Sequence, residues 1–288
     1  MSVTKTSEYE ALNLGEAEPG GDRNRSPDQV HSRSKSISTQ RAALIVPPLV
    51  LALVLLLGWF TSTATGGVPD FVLPPPSDVF AALVDGFRTG LFVSNATVTI
   101  QESLLGFLLG VTIALPLGYA IAKSRLLAAM LQPYLVAGQA IPAIVIAPVL
   151  VLWLGYGLLP ITILCMLVVL FPMVITTALG VQTIDTIYTD AARVEGASGW
   201  LMLVHIEFPL ALPGILAALR IGLILSITGA LVGEFVNNSA QGLGALVFEA
   251  KDQFNAPLLF ATLFFLAGLA ALYYCLSWLL VKLAEIVY

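Results

Sequence analysis

The sequence predicts an all-α membrane protein whose chain crosses the bilayer six times. Only 11% of its 288 residues are charged and 58% are hydrophobic, and the mean hydropathy is +0.91. A soluble domain carries about a quarter charged residues. The apolar residues are gathered into stretches of about 20, the length that a helix needs to cross the hydrocarbon core. Most of the chain is therefore expected to lie in lipid.

The predicted spans are residues 42–60, 94–122, 128–152, 158–182, 210–236 and 258–281. Proline and glycine interrupt several of them, which helices in lipid tolerate when neighbours satisfy the freed backbone groups. After the first span, the run Leu73-Pro74-Pro75-Pro76 predicts a rigid turn. A short external helix over residues 78–88, capped by Ser77 or Asp78, is expected to follow.

Residues 1–41 are polar and acidic, and they predict a disordered tail, which leaves 42–288 as the membrane domain. Basic residues mark the cytoplasmic loops of membrane proteins. With the tail inside, most basic residues fall on the cytoplasmic side, and only Arg88 and Lys251 fall outside. The sequence thus predicts a multi-pass inner-membrane protein with both termini in the cytoplasm.

The amino-acid sequence predicts no catalytic, metal-binding or phosphate-binding site in this chain. It shows no Ser-His-Asp set, no metal-ligand cluster and no glycine-rich phosphate loop. No basic stripe with aromatics suggests nucleic acid. Cys165 and Cys275 lie in apolar runs and are expected to be small buried side chains, while His205 is expected at the surface. We therefore expect no catalytic residue, no metal site and no cofactor bound by the chain itself.

The loop over residues 190–209, between the fourth and fifth spans, is termed the elbow. Thr189 or Asp190 is expected to cap a short helix that Gly196 ends in a left-handed conformation. A second helix is expected to begin at Gly199, and Pro209 and Pro213 are expected to break the chain before the fifth span. Small residues allow close backbone approach, so the elbow suits insertion into a cleft of another protein.

The elbow reads Asp190-Ala191-Ala192, three residues, Gly196, nine residues and Ile206, and it ends at Phe208-Pro209. This pattern resembles the EAA loop of binding-protein-dependent ABC importer permeases, with Asp190 and Phe208 in place of the usual Glu and Leu. The resemblance covers about residues 70–285. The run Gly242-Leu243-Gly244 is similar to the nitrate, sulfonate, taurine and bicarbonate permease group.

The resemblance implies the type I ABC importer permease fold with a cytoplasmic coupling helix in the elbow. It also implies a homodimeric channel, two ABC ATPase subunits that bind ATP and Mg, and an extracytoplasmic substrate-binding protein. The solute would be a small anion such as sulfonate, nitrate or bicarbonate, or a vitamin or precursor such as riboflavin or thiamine pyrimidine. The residues that would couple to the ATPases are Asp190, Ala191, Ala192, Glu195, Gly196, Ala197, Ser198 and Pro209.

Ionisable residues inside a span need a partner or a wet cavity. Arg220 is expected either to reach the cytoplasmic surface or to pair with Glu102, which stands where relatives often carry a basic residue. Glu234 is expected to line a pathway mouth, to cap a helix or to meet interfacial water. Gln139, beside Pro142, is a further candidate. These four residues are the predicted lining of the translocation pathway.

Two other classes of function compete with the importer. An ion-coupled secondary transporter usually shows inverted repeats, and no convincing repeat is present in this sequence. A structural membrane scaffold would not need the short helix and small-residue turn of the elbow in the cytoplasm. Co-purification with an ATPase would distinguish the importer from the secondary transporter and the scaffold.

Overall fold

The computed structural model describes residues 47–48, 50–237 and 241–287, with side chains up to Ala284. The predicted tail and the first part of the first predicted span lie outside these residues. Contacts divide the chain into two units, residues 1–58 and 59–288. Everything below concerns the second unit, apart from the part of the first helix that precedes Trp59.

Every regular element in the described ranges is helical, as the sequence predicts. The helices, in chain order, are α1 Val50–Ala64, α2 Pro76–Arg88, α3 Leu91–Lys123, α4 Arg125–Ala140, α5 Ala143–Leu154, α6 Leu158–Gln182, α7 Thr186–Val194, α8 Gly199–Met202, α9 Phe208–Asn237, α10 Leu243–Asp252 and α11 Ala256–Val287.

Four helices in the described residues are long and apolar enough to cross a membrane, namely α3, α6, the continuous run Gly199–Asn237 and α11. The predicted third span is not one straight helix, because α4 and α5 meet at 97° across Ile141 and Pro142. Proline lacks an N–H and disfavours the helical conformation of the residue before it. Counting this pair as one span gives at most five in the described part of the chain.

A helix is present where the external helix is predicted, as α2, but it begins earlier than predicted. Pro75 is the N-cap residue and Pro76 opens the helix, so Ser77 and Asp78 lie in the first turn and do not cap it. Proline suits the first helical position because the N–H there has no helical partner anyway.

The core of the bundle is formed by α3, α6 and α9, which pack closely because glycines face neighbouring side chains. A Cβ on Gly106 would lie 2.2 Å from Cβ of Cys165, and a Cβ on Gly222 would lie 2.3 Å from Sδ of Met173. Small residues at helix contacts of this kind bring backbones together in lipid. Cys165 is fully buried as predicted, whereas Cys275 is exposed on α11.

The predicted break at Pro209 and Pro213 is absent, because the helix is continuous from α8 into α9. A π-helical stretch, Leu203–Glu207, comes directly before the proline pair, and the Phe208 N–H donates to the Leu203 carbonyl. Such a wide turn absorbs the missing donor and the bulk of a proline ring. The elbow is therefore joined to α9 by helix.

Candidate functional site

The first helix of the elbow, α7, begins earlier than predicted. The Asp185 side chain caps it by accepting the Ile187 N–H at 3.0 Å. Thr189 and Asp190 therefore lie within the helix, where Thr189 is buried and Asp190 pairs with Arg193 at 3.0 Å. The misplaced cap has a simple cause, since Asp185, Thr189 and Asp190 are all good capping residues.

The end of α7 matches the prediction. Gly196 has a φ of 91°, and its N–H donates to the Arg193 carbonyl at 3.0 Å. The Ala197 N–H donates to the Ala192 carbonyl at 2.9 Å. This pair of bonds forms a Schellman motif, in which glycine adopts the left-handed conformation at little cost. α8 then begins at Gly199, also as predicted.

The elbow and the start of α7 expose large apolar side chains, which we term the elbow patch, consisting of Ile187, Tyr188, Val194, Trp200 and Leu201. Val194 is 90% exposed and Trp200 is 76% exposed. Ala191, Glu195, Gly196 and Ser198 are exposed beside them, whereas Ala192 is buried. Large exposed apolar patches mark interaction surfaces. Trp200 and Leu201 are 76% and 55% exposed, so neither is packed inside the membrane domain.

Glu207 is the residue that sequence reasoning missed at this site. Its side chain is 4% exposed, Oε1 contacts Nζ of Lys123 at 2.6 Å, and Oε2 accepts the Tyr119 hydroxyl at 2.5 Å. We call this arrangement the Glu207 latch. It joins the elbow to the end of α3, and it borders a cavity of about 550 Å³ that Gly196 and Met202 also line. The sequence offered one signal for this role, namely an acidic residue two positions before Pro209.

A second polar cluster lies at the other end of α9, around Glu234, which is 1% exposed. The Thr99 hydroxyl donates to its Oε1 at 2.6 Å, and the Gly244 N–H donates to its Oε2 at 2.5 Å. Glu234 thus binds the N-terminus of α10. A carboxylate is favourable there, because free N–H groups and the helix dipole both attract an anion.

Two further bonds tie α3 to the same turn. The Gly242 N–H donates to Oδ1 of Asn95 at 2.8 Å, and the Leu243 N–H donates to Oγ1 of Thr99 at 2.9 Å. Gly242 has a φ of 119°, and a Cβ there would lie 2.3 Å from the carboxyl carbon of Glu234. The Gly242-Leu243-Gly244 run is therefore explained by close approach of the backbone to a buried carboxyl group. We term the whole arrangement the Glu234 cluster.

The predicted pair of Glu102 and Arg220 is wrong. Glu102 is 3% exposed and lies beside Glu234, and its Oε2 has no hydrogen-bond partner among the described residues. Arg220 lies 14 residues from Glu234 along α9, about 21 Å along a helix axis. Its guanidinium stacks 4.6 Å above the Tyr274 ring instead. The expectations for Glu234 need correction: its burial excludes interfacial water, and the helix that it caps is α10 and not the spanning helix α9 in which it lies.

The four predicted pathway residues fall into two groups. Gln139 and Arg220 line separate cavities of about 440 and 660 Å³, while Glu102 and Glu234 are buried between helices. The Gln139 cavity lies at the break between α4 and α5 and is also lined by Pro142 and Phe171. His205 is exposed, as predicted. In the described residues no group of three or more His, Cys, Asp or Glu side chains could hold a metal.

Comparisons with known proteins identify the class. A family profile described as "Binding-protein-dependent transport system inner membrane component" matches residues 106–287. The chain belongs to this family, whose members are ABC transporter permeases of the binding-protein-dependent importer type. It is a membrane protein with several apolar spans, and the competing prediction of an ion-coupled secondary transporter is set aside.

The chain is 38% identical over 255 residues to a riboflavin transport system permease protein of Chloroflexus aurantiacus, covering 88% of this chain and 94% of that one. It is 28% identical over 233 residues to a formylaminopyrimidine transport permease protein of Halalkalibacterium halodurans, covering 81% and 92%. An inward-facing structure of the MetNI methionine ABC transporter matches with a TM-score of 0.59 at 21% identity, covering 65% and 93%. At that identity, the structural likeness shows the fold alone.

Proposed function

We propose that two copies of this chain form the channel of the importer and that the elbow docks on ATPase subunits that bind ATP and Mg. The observation that carries the proposal is the elbow patch. Val194 and Trp200 are 90% and 76% exposed, and they flank a Gly196 turn where an added Cβ would meet no atom within 4 Å. An apolar rim around an open, stiff turn fits a cleft in a partner protein.

The Glu207 latch suggests how motion would reach the membrane helices. An ATPase that moves the elbow also moves α9, through the continuous helix, and α3, through Lys123 and Tyr119. Closure of the ATPases would turn the pathway outward, and release of ADP and phosphate would return it inward. In this arrangement the elbow and both termini are cytoplasmic, and a binding protein delivers solute on the opposite face.

The proposed solute is a vitamin or vitamin precursor with a heteroaromatic ring. The riboflavin and formylaminopyrimidine permeases support this class over a small inorganic anion, although a sulfonate permease of Bacillus subtilis is also similar, at 26% identity. The Gln139 cavity offers an amide beside the Phe171 ring, which suits a planar polar ring. Glu102 and Glu234 are proposed to affect the pathway indirectly, through the helices that they join.

The docking proposal is tested by Gly196→Trp, with Gly90→Trp as the matched control. Both glycines have positive φ, and neither has an atom within 4 Å of an added Cβ. The backbone strain is therefore shared, and only the location differs. We expect Gly196→Trp to abolish solute-stimulated ATP hydrolysis and recovery of the ATPase on co-purification, while Gly90→Trp retains both. Normal transport by Gly196→Trp would contradict docking at the elbow.

The solute is tested separately, with the full transporter and its binding protein in proteoliposomes. Riboflavin and formylaminopyrimidine would each be supplied as labelled solute, with an alkyl sulfonate as the third. We expect ATP-dependent uptake of a heteroaromatic solute. Uptake of the sulfonate alone would overturn the solute assignment while leaving the docking proposal intact.

A further inference from the structure

Arg220, inside a spanning helix, has no counter-ion among the side chains that the structure describes. Among the described side chains, no carboxylate forms an ion pair with it, and its recorded contact is the Tyr274 ring at 4.6 Å. An arginine in lipid normally pairs with another group or reaches toward the interface. A ligand from outside the chain would supply the missing anion.

The space beside Arg220 is a groove of about 660 Å³ between α9 and α11. Its α9 wall includes Pro209, Leu212 and Leu216, and its α11 wall includes Val281 and Ala284. Among the lining residues whose side chains the structure describes, Arg220 is the one that is polar. Such a wall offers no hydrogen bonds to a water-soluble solute, but it suits a hydrocarbon chain.

The groove runs toward the end of the bundle that carries the elbow. α9 begins at that end and α11 finishes there, so residues after Tyr274 lie progressively nearer to the elbow. Arg220 is 11 residues from Pro209, about 16 Å along the axis, but side chains tilt toward the N-terminus of their helix and therefore toward the interface. Lys282 stacks over Trp278 at 4.4 Å further along α11.

A second copy of the chain is a poorer source of the anion. The acidic residues with described side chains in the spanning helices are Glu102, Glu207 and Glu234, and all three are buried. Glu207 already pairs with Lys123, and Glu234 with the start of α10. The described spanning helices of a neighbour therefore present no exposed carboxylate to Arg220.

We propose that the groove between α9 and α11 binds an anionic phospholipid, with its phosphate on Arg220 and an acyl chain along the apolar wall. A basic pocket between spanning helices has the charge that anionic head groups require. Lys282 and Trp278 lie further along α11, toward the end that carries the elbow, and lysine and tryptophan both favour the head-group region.

The test uses full-length protein in nanodiscs of equal phosphatidylglycerol and phosphatidylcholine, followed by native mass spectrometry of the lipids that remain bound after extraction. We expect wild-type protein to retain phosphatidylglycerol preferentially. Arg220→Gln should reduce that retention about fivefold, the value of one cation near an anionic surface. Arg193→Gln is the charge-matched control, since Arg193 is exposed in the elbow, and it should leave retention unchanged.

A second variant tests the apolar wall of the groove without changing the charge of the protein. Ala217 is exposed in the groove lining. Ala217→Trp should therefore fill the groove and also lower the retention of phosphatidylglycerol. If Arg220→Gln does not fold, the Ala217→Trp result tests the proposal instead. Equal retention of both lipids, or displacement by sn-glycerol 3-phosphate, would overturn the proposal. So would a disulfide between two copies of Ala217→Cys, because a neighbouring chain would then cover the groove.

Discussion

The two buried glutamates at the ends of α9 are held by different kinds of partner. Glu207 meets a flexible ammonium and a phenol from α3, beside a cavity of about 550 Å³. Glu234 meets backbone N–H groups and a threonine hydroxyl, packed so closely that a Cβ on Gly242 would overlap it. The residues are 27 positions apart, about 40 Å along a helix.

This difference indicates different mechanical roles. Backbone donors cannot rearrange without unwinding α10, so the Glu234 cluster fixes α3, α9 and α10 to one another. A lysine side chain can swing, and the neighbouring cavity gives it room, so the Glu207 latch can hold the elbow while allowing it to move. A transporter driven from one end needs both a rigid bundle and a yielding joint.

Glu234→Gln tests the hydrogen bonds of the Glu234 cluster. The amide keeps the size of the side chain but has one acceptor oxygen, so with that oxygen toward the Gly244 N–H its NH₂ group faces the Thr99 hydroxyl, which must then donate to the Asn95 carbonyl at 3.3 Å instead. We expect the free energy of unfolding to fall by about 1.5–3 kcal/mol, since a hydrogen bond to a charged group is worth about that much. Unfolding of purified protein measures this. Glu249→Gln, at an exposed site on α10, should have little effect.

Gly242→Ala tests whether close packing makes the Glu234 cluster rigid, and Gly157→Ala is its matched control. Both residues have a φ near 120°, but only at Gly242 would the new Cβ meet other atoms within 4 Å. Both variants should carry the cost of a positive φ with an extended ψ, a region essentially limited to glycine, of about 1–3 kcal/mol, and Gly242→Ala should lose about 1–3 kcal/mol more. Equal losses in the two variants would show that the carboxyl group has room to move.

Lys123→Gln tests the latch. Removing the ammonium leaves a buried carboxylate with the Tyr119 hydroxyl as its remaining partner among the described side chains. We expect a loss of about 1–3 kcal/mol and faster hydrogen exchange in the elbow. Arg125→Gln removes a nearby exposed charge and serves as the control. If elbow exchange is unchanged in Lys123→Gln, the latch does not hold the elbow.

The smallest effect is expected at the start of α7. Asp185→Ala removes the observed cap and should cost about 1 kcal/mol, seen as faster exchange of the first α7 amides. Asp190→Ala breaks only an exposed pair with Arg193, and about 0.5 kcal/mol or less is expected. The reverse order would restore Asp190 as the cap and contradict the structure of the elbow.

Sequence reasoning placed the long helices well and the buried partners badly. The predicted span 158–182 coincides with α6, and 210–236 lies within α9. The Gly196 turn was also predicted, because left-handed glycine at a helix end is local chemistry. The predicted Glu102–Arg220 pair was wrong because residue positions along the chain do not say how two helices are aligned with each other in the membrane. In the structure Glu102 lies beside Glu234 instead.

The sequence by itself determined membrane residence, the helical class, the family resemblance and the elbow, because these depend on apolar run length and on short-range turn chemistry. Tertiary structure alone decided the capping of α10 by Glu234 and the groove beside Arg220. Each of these depends on which helix faces lie against one another. That choice is made by packing between residues more than a hundred positions apart, as with Thr99 and Glu234.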